Sequence, residues 1–301
     1  MLDRERLMNR TFPHVTQSYT ARDVMLYALG VGAGLVPTDE RDLPFVFEDG
    51  LRVLPSMAVV LAYPGFWLKE PDTGLDWVHV LHVGQELRVH RPLPVAARVE
   101  ATIRVTQVID KGVGKGALIV SERTVRDLDH DVDLATLIVT NYARRDGGFS
   151  GAVQPSLAPD PIPERSADAV CDLPTSPQAA LVYRLSGDYN PLHAAPKVAR
   201  EAGFERPILH GLCTFGVACR ALLRVACDDD PARLRRMRVR FSSPVYPGET
   251  IRTEVWRTGA TLAFRCRVVE RDVVVINNGH AELSDAAAPK QWPSLPRCRA
   301  W

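Results

Sequence analysis

Leu209-His210-Gly211-Leu212-Cys213-Thr214-Phe215-Gly216-Val217-Ala218-Cys219-Arg220-Ala221-Leu222-Leu223-Arg224-Val225-Ala226 is an apolar stretch with little amphipathic stripe, long enough for a helix and too short for a bilayer span. A helix of this kind needs cover on nearly every side. Downstream, Ile251 to Arg257 and Thr261 to Val269 carry the alternation and β-branched content of strands. One long antiparallel sheet wrapped around one central helix satisfies both, so the class is α+β.

The plan occurs twice. Pro92-Leu93-Pro94-Val95 aligns with Pro244-Val245-Tyr246-Pro247, an offset of 152 residues (244 − 92), and Leu54-Pro55-Ser56 aligns with Arg206-Pro207-Ile208 at the same offset. Each of the latter opens an apolar segment long enough for a buried helix. The strand-like runs Val99 to Val108 and Ala117 to Val125 mirror those of the second half. Upstream, Tyr27-Ala28-Leu29-Gly30 resembles Tyr183-Arg184-Leu185-Ser186, each ending a short helix. Thr20 with Asp23 reads as a capping box, and Ser176 precedes Pro177 at a first helical position. Gly147 to Gly151 and the proline-rich stretch from Gln154 to Glu164 read as a linker. The predicted domains are residues 1–154 and 155–301.

Within the second, Tyr183-Arg184-Leu185-Ser186-Gly187-Asp188-Tyr189-Asn190-Pro191-Leu192-His193 ends a helix, turns at Gly187 and is driven from helical geometry by Asn190-Pro191. Such a loop can aim Asp188 and His193 at one point. A carboxylate and an imidazole together can hold a water, take its proton and return a proton elsewhere, as addition to an activated double bond requires. The plainer alternative makes Asp188 an Asx-turn and His193 a cap.

The whole string resembles the signature of the MaoC-like, or hydratase 2, family: aromatic, one or two residues, aliphatic, Ser, Gly, Asp, x, Asn, Pro, aliphatic, His. The likeness extends through Ala202-Gly203-Phe204, Pro207-Ile208-Leu209-His210-Gly211 and Tyr246-Pro247-Gly248-Glu249-Thr250, and in the first half through Tyr27 to Gly34, Leu81-His82-Val83-Gly84-Gln85-Glu86 and Asp110-Lys111-Gly112. It implies a double hot-dog fold, each half a long antiparallel sheet around a central helix. It also implies addition of water to trans-2-enoyl-CoA to give (3R)-3-hydroxyacyl-CoA. The catalytic positions fall on Asp188, His193 and the Gly211 N–H, the last binding the thioester oxygen at a helix N-terminus. Asn190, His210 and Gly187 take substrate-side positions, although simple packing also accounts for His210. Glu48 sits where two-domain members carry a glutamate implicated in activity; a surface carboxylate is the commoner role.

No dyad survives in the first half, where Val31-Gly32 stands opposite Gly187-Asp188 and Ala58-Val59 opposite His210-Gly211. The resemblance implies that Gly32 and its small neighbours make room for a bulky acyl tail; close helix packing is the alternative. A thioesterase of the same fold and a non-catalytic acyl-thioester-binding subunit are the competing functions.

A net charge of +1 gives no field for nucleic acid or an anionic membrane. The charged start lacks a secretory apolar region, and the six cysteines form no C-x-x-C pair, which fits a reduced, cytoplasmic setting. The eight histidines are scattered without ligand spacing, and no phosphate loop occurs, so neither a metal nor a cofactor is expected beyond coenzyme A as part of the substrate. Acyl carrier protein is the alternative carrier. Arg233, Arg235, Arg236, Arg238 and Arg240 could meet coenzyme A phosphates, but a solvated strand edge is commoner. Two fused units predict a pseudo-dimeric monomer or a homodimer.

Overall fold

Burial alternates at every residue along Ala117–Asp127, and the same period of two lets ten such segments pack one face inward and leave the other to solvent. The computed structural model describes residues 2–151 and 160–284 and the backbone of 297–299. In chain order the first half contains α1 (Arg4–Met8), β1 (Val15–Tyr19), α2 (Ala21–Gly30), α3 (Leu43–Val46), β2 (Val80–Val89), β3 (Ala97–Asp110), β4 (Ala117–Asp127) and β5 (Val132–Ala143). The second contains β6 (Ala169–Pro174), α4 (Ala179–Tyr183), α5 (Pro196–Glu201), α6 (Gly211–Ala226), β7 (Leu234–Phe241), β8 (Thr250–Thr258), β9 (Thr261–Val268), β10 (Val273–Leu283) and β11 (Arg297–Arg299).

All strands join one 11-stranded sheet in the order β1-β3-β4-β5-β2-β7-β10-β9-β8-β6-β11. Apart from β11, which runs parallel to β6, the order is a palindrome about the β2–β7 seam. Each strand therefore has its repeat-mate at the mirrored position, the arrangement of a two-fold dimer fused into one chain. At the seam β2 and β7 pair antiparallel, Glu86 opposite Arg238 and Leu87 opposite Met237. Glu86 also accepts from Arg236 at 2.8 Å across the junction. The repeat-mates Tyr27 and Tyr183 meet with ring centroids 5.9 Å apart.

Helix α6 fills the centre, buried along most of its length. Its close approach to the first half needs Gly216, because a Cβ there would lie 2.5 Å from the Val31 side chain and 2.9 Å from the Tyr27 hydroxyl. Gly216→Ala is therefore expected to lower the melting temperature by forcing α6 from the Tyr27–Val31 turn, which a thermal scan checks.

Two sequence expectations need correction. The apolar segment after Leu54 does not form a second central helix: it is the six-residue 3-10 helix Pro55–Val60. Ala62 then takes a left-handed conformation, φ 45°, and Pro64 and Gly65 forbid continuation. Helix α4 begins at Ala179, not at Pro177, with the Ser176 hydroxyl accepting the Gln178 N–H at 3.1 Å in the preceding turn. The capping box of α2 forms as read, the Thr20 N–H donating to Asp23 at 2.8 Å. The predicted boundary at 154/155 lies outside the described residues.

Candidate active site

The dyad loop is built by its own short side chains. Gly187, at φ 124°, reverses the chain after the 3-10 turn Arg184–Ser186. The Asp188 Oδ1 then accepts the Asn190 N–H at 3.2 Å, and Asn190 Oδ1 accepts the Leu192 N–H at 3.1 Å. These two linked Asx bonds start the 3-10 turn Pro191–His193. Arg184 steadies the outside, its guanidinium 5.1 Å from the Tyr189 ring centroid. The Asx-turn reading of Asp188 is thus correct and compatible with a second role, since it engages one carboxylate oxygen. Asn190 orders the loop, as expected.

His193 is buried, and its Nδ1 donates to the Ile208 carbonyl at 2.9 Å. A carbonyl can only accept, so the neutral ring keeps its proton on Nδ1 and presents the Nε2 lone pair. Burial pushes the His193 pKa below the ordinary 6.5, partly offset by the Ile208 carbonyl and Asp188. The imidazole is therefore neutral, and basic, at neutral pH. His210, only 1% exposed, stacks on it with centroids 3.7 Å apart and planes 29° apart. Its Nε2 donates to the Asp188 carbonyl at 3.2 Å, while its Nδ1 is buried without a partner. Burial first and His193 second lower its pKa to about 4. His210 is more than a packed neighbour: it carries the loop's backbone and lies flat beneath the dyad histidine.

Scattered in sequence, Asp188, His193 and His210 each bring one candidate ligand atom within 4.8 Å of the others, which corrects the inference from histidine spacing. Coordination needs lone pairs converging on one ion at about 2.0–2.1 Å. One nitrogen of each ring is committed to a backbone carbonyl, His193 Nδ1 to Ile208 and His210 Nε2 to Asp188, so the trio suits proton transfer better than chelation.

Gly211, the first residue of α6, offers an N–H with no intrahelical acceptor by position. The Phe241 ring borders it, 3.6 Å from where a Cβ would stand, and His82 of the first half packs edge-on against Phe241 at 5.1 Å. Burial pushes His82 down to about 4, with the Gly84 carbonyl and Asp188 opposing. His82 and Tyr63, which also feels the Asp188 charge, are first-half residues at this site that sequence reasoning missed. His82 lies in the Leu81–Glu86 stretch that carries the family likeness but had no role assigned, and no local motif marks Tyr63.

Other candidates lie apart. Glu48 is exposed on the turn after α3, and among the described residues no hydrogen bond ties its carboxylate to the dyad. Gly32 does not leave room for an acyl tail at its own position. A Cβ there would meet Arg220 Nη1 at 3.2 Å and the Pro174 carbonyl at 3.3 Å. The small residues instead admit a buried ion cluster: Arg220 donates to the Val31 carbonyl and to both oxygens of Asp42, each at 2.9 Å, and Arg224 reaches Asp42 at 2.7 Å. Where a second dyad would stand by symmetry, this cluster fills the space. The arginine run is largely neutralised too, with Arg233 on Asp228, Arg236 on Glu86 and Glu282, and Arg238 on Asp160.

A palindromic sheet around one buried helix, with a carboxylate and two imidazoles gathered near that helix's N-terminus, defines a double hot-dog protein. Residues 160–279 match the family described as MaoC like domain, and residues 17–144 match the MFE-2 hydratase 2 N-terminal domain. The chain belongs to this two-part MaoC-like hydratase 2 family. It is 40% identical over 284 residues to the enoyl-CoA hydratase ChsH3 of Mycobacterium tuberculosis, covering 92% of this chain and 97% of that one. Identity is 37% to the peroxisomal enoyl-CoA hydratase 2 of Arabidopsis thaliana, covering 90% and 92%. A crystal structure of a MaoC-like dehydratase from Phytophthora capsici superposes with a TM-score of 0.84 at 34% identity, over 96% of this chain and 100% of that one. A Mycobacterium tuberculosis protein described as a double hotdog fold superposes at 0.53 with 16% identity, a likeness of fold alone. Among the described residues no helix is long and apolar enough to cross a membrane.

Proposed function

We propose that this chain adds water across the double bond of a trans-2-enoyl-CoA to give the (3R)-3-hydroxyacyl-CoA, and catalyses the reverse dehydration. The observation that carries it is the convergence of Asp188 with the His193 imidazole, whose Nδ1 is committed to Ile208. Asp188 orients the water, and the His193 Nε2 takes its proton as the oxygen bonds to the β-carbon. That proton returns to the α-carbon, so the dyad ends as it began. The Gly211 N–H meets the thioester oxygen as it gains enolate charge. Asn190 and Gly187 keep the loop in register against the substrate, and His210 holds it from beneath.

The deciding experiment follows enoyl absorbance and thiol release together on crotonyl-CoA. Hydration removes the conjugated absorbance with no free thiol; thiol release would make the protein a thioesterase, and binding with neither would make it an acyl-thioester-binding subunit. The same assay across pH tests the neutral imidazole. The active form is the deprotonated one, so kcat/KM is expected to fall as pH drops below 6.5 through the lowered His193 pKa, and to stay level above it. Stability has the same sign. His82 and His210 titrate near 4 when folded and near 6.5 when unfolded, so their neutral-state contribution is complete above 6.5 and is lost as pH falls towards 4.

The division into residues 1–154 and 155–301 is part of this reading and is supported by the palindromic strand order. If the first half receives the acyl tail, exposed Phe66, Trp77 and Leu81 offer the apolar surface that Gly32 does not. A cytoplasmic location fits the buried thiols of Cys213, Cys219, Cys227 and Cys266, and fractionation of cells checks it. Acyl carrier protein as the carrier, and a homodimer rather than a pseudo-dimeric monomer, are tested by carrier exchange and by light scattering.

A further inference from the structure

Tyr63 keeps 40% of its surface open, yet the segment that bears it is held with unusual firmness. Ala62, immediately before it, sits at φ 45°, a left-handed conformation that a residue with a side chain keeps only where its surroundings impose it. The Ala62 N–H donates to Gln17 Oε1 at 2.6 Å. Pro64 follows and restricts Tyr63 to extended backbone. On the inner side, Arg123 of β4 is 7% exposed. Its Nη2 donates to the Val59 carbonyl at 2.6 Å, and its guanidinium carbon lies 5.6 Å from the Tyr63 ring centroid.

Among the described residues no carboxylate pairs with Arg123. Its Nη1 is buried with no hydrogen-bond partner, and the groups whose charges bear on it are Tyr63 and Tyr183. Burial lowers its pKa to about 10, which still leaves a cation at neutral pH. Burying a cation against an aromatic face alone is costly. Together with the left-handed Ala62, its bond to Val59 and its planar face fix the direction of one ring. The 3-10 helix Pro55–Val60, which leads into Tyr63, packs on α6. Burial and then the Asp188 charge push the Tyr63 phenol up to about 12, so it stays a protonated donor. A pre-oriented, half-open aromatic next to a reactive carboxylate is a contact surface prepared in advance.

We propose that Tyr63 is a substrate-contact residue, supplied to the second half's site by the half that lacks a dyad, with Arg123 as its positioning residue. The inference rests on the enoyl-thioester reading above. Because the Asp188 charge reaches the Tyr63 phenol, the proposed contact falls towards the thioester end of the acyl group and exists even for the shortest acyl chains.

Calorimetric titration with butyryl-CoA, a saturated thioester that cannot be hydrated, reads this contact without turnover. Tyr63→Ala is expected to weaken binding about tenfold, and Tyr63→Phe, which keeps the ring, less than about threefold. Arg123→Met should match Tyr63→Ala, and the double variant should be no weaker than either single one, because both changes remove the same contact. With crotonyl-CoA the Tyr63→Ala loss should appear in KM, with kcat nearly kept. Wild-type affinity in Tyr63→Ala, or additive losses in the double variant, overturns the proposal. Should Arg123→Met fail to fold by circular dichroism, Arg123→Lys takes its place in the cycle, keeping the charge and losing the planar face. A wild-type protein that binds butyryl-CoA but leaves crotonyl-CoA unchanged would remove the hydratase reading alone, and the binding cycle would still decide the role of Tyr63.

Discussion

Asp188→Asn and His193→Gln are each expected to lower turnover on crotonyl-CoA by about 10²–10⁴, the usual scale for removing a general acid or base. Asp188→Asn keeps the oxygen that accepts the Asn190 N–H, so the loop should survive while the charge is lost. His193→Gln removes the Nε2 lone pair that faces the site. Since both groups act on one water, their effects should not multiply, and the double variant should be little worse than the poorer single one. KM should change much less. Stopped assays on variants with wild-type circular dichroism check this, and strictly multiplicative losses would rule out a shared water. None of the residual activity should come from the first half, which has a buried ion cluster where its own dyad would be. If the double variant retained a substantial fraction of wild-type turnover, the chemistry would have to lie elsewhere.

Removing Asp42 should cost more stability than any other single charge change in the chain. Arg220 and Asp42 are each 4% exposed, and Asp42 also accepts from Arg224 and from the Gly34 N–H. Burial raises the Asp42 pKa, but the two arginines outweigh it and hold the carboxyl below its ordinary 3.8. Asp42→Ala leaves the buried Arg220 without its carboxylate while Arg224 keeps Asp39 at 3.0 Å, and a loss of about 3–5 kcal/mol is expected for breaking such a pair from one side. Asp42→Leu combined with Arg220→Met should recover much of it, because a well-packed apolar pair can replace a buried ion pair. Denaturant unfolding of the three variants measures both effects. The pH sign follows from the lowered pKa: this contribution is present above 3.8 and fades as pH falls through the folded value. A wild-type midpoint for Asp42→Ala would mean that the cluster contributes nothing.

The sequence by itself determined the parts of this protein that depend on neighbours in the chain. The strands follow from alternation, as at Ala117–Asp127, and the cap of α2 follows from Thr20 and Asp23 three residues apart. The dyad loop was legible for the same reason: Gly187, Asp188, Asn190 and Pro191 shape one another through bonds two residues long. Even the palindromic sheet was foreshadowed, since a repeat of one supersecondary unit pairs most simply with itself.

Only the tertiary structure decided what depends on distant residues. The second central helix failed although Pro55–Val60 is apolar, because Ala62 and Pro64 turn the chain and a single α6 already serves both halves. Gly32 looked like empty room, and its space is taken by Arg220, nearly two hundred positions away in the chain. His210 joins the site by stacking on His193, and Tyr63 and His82 of the other half both feel the Asp188 charge. Local pattern fixes backbone conformation through short-range bonds, whereas the filling of a pocket and the partner of a buried charge are settled only when remote surfaces close on one another.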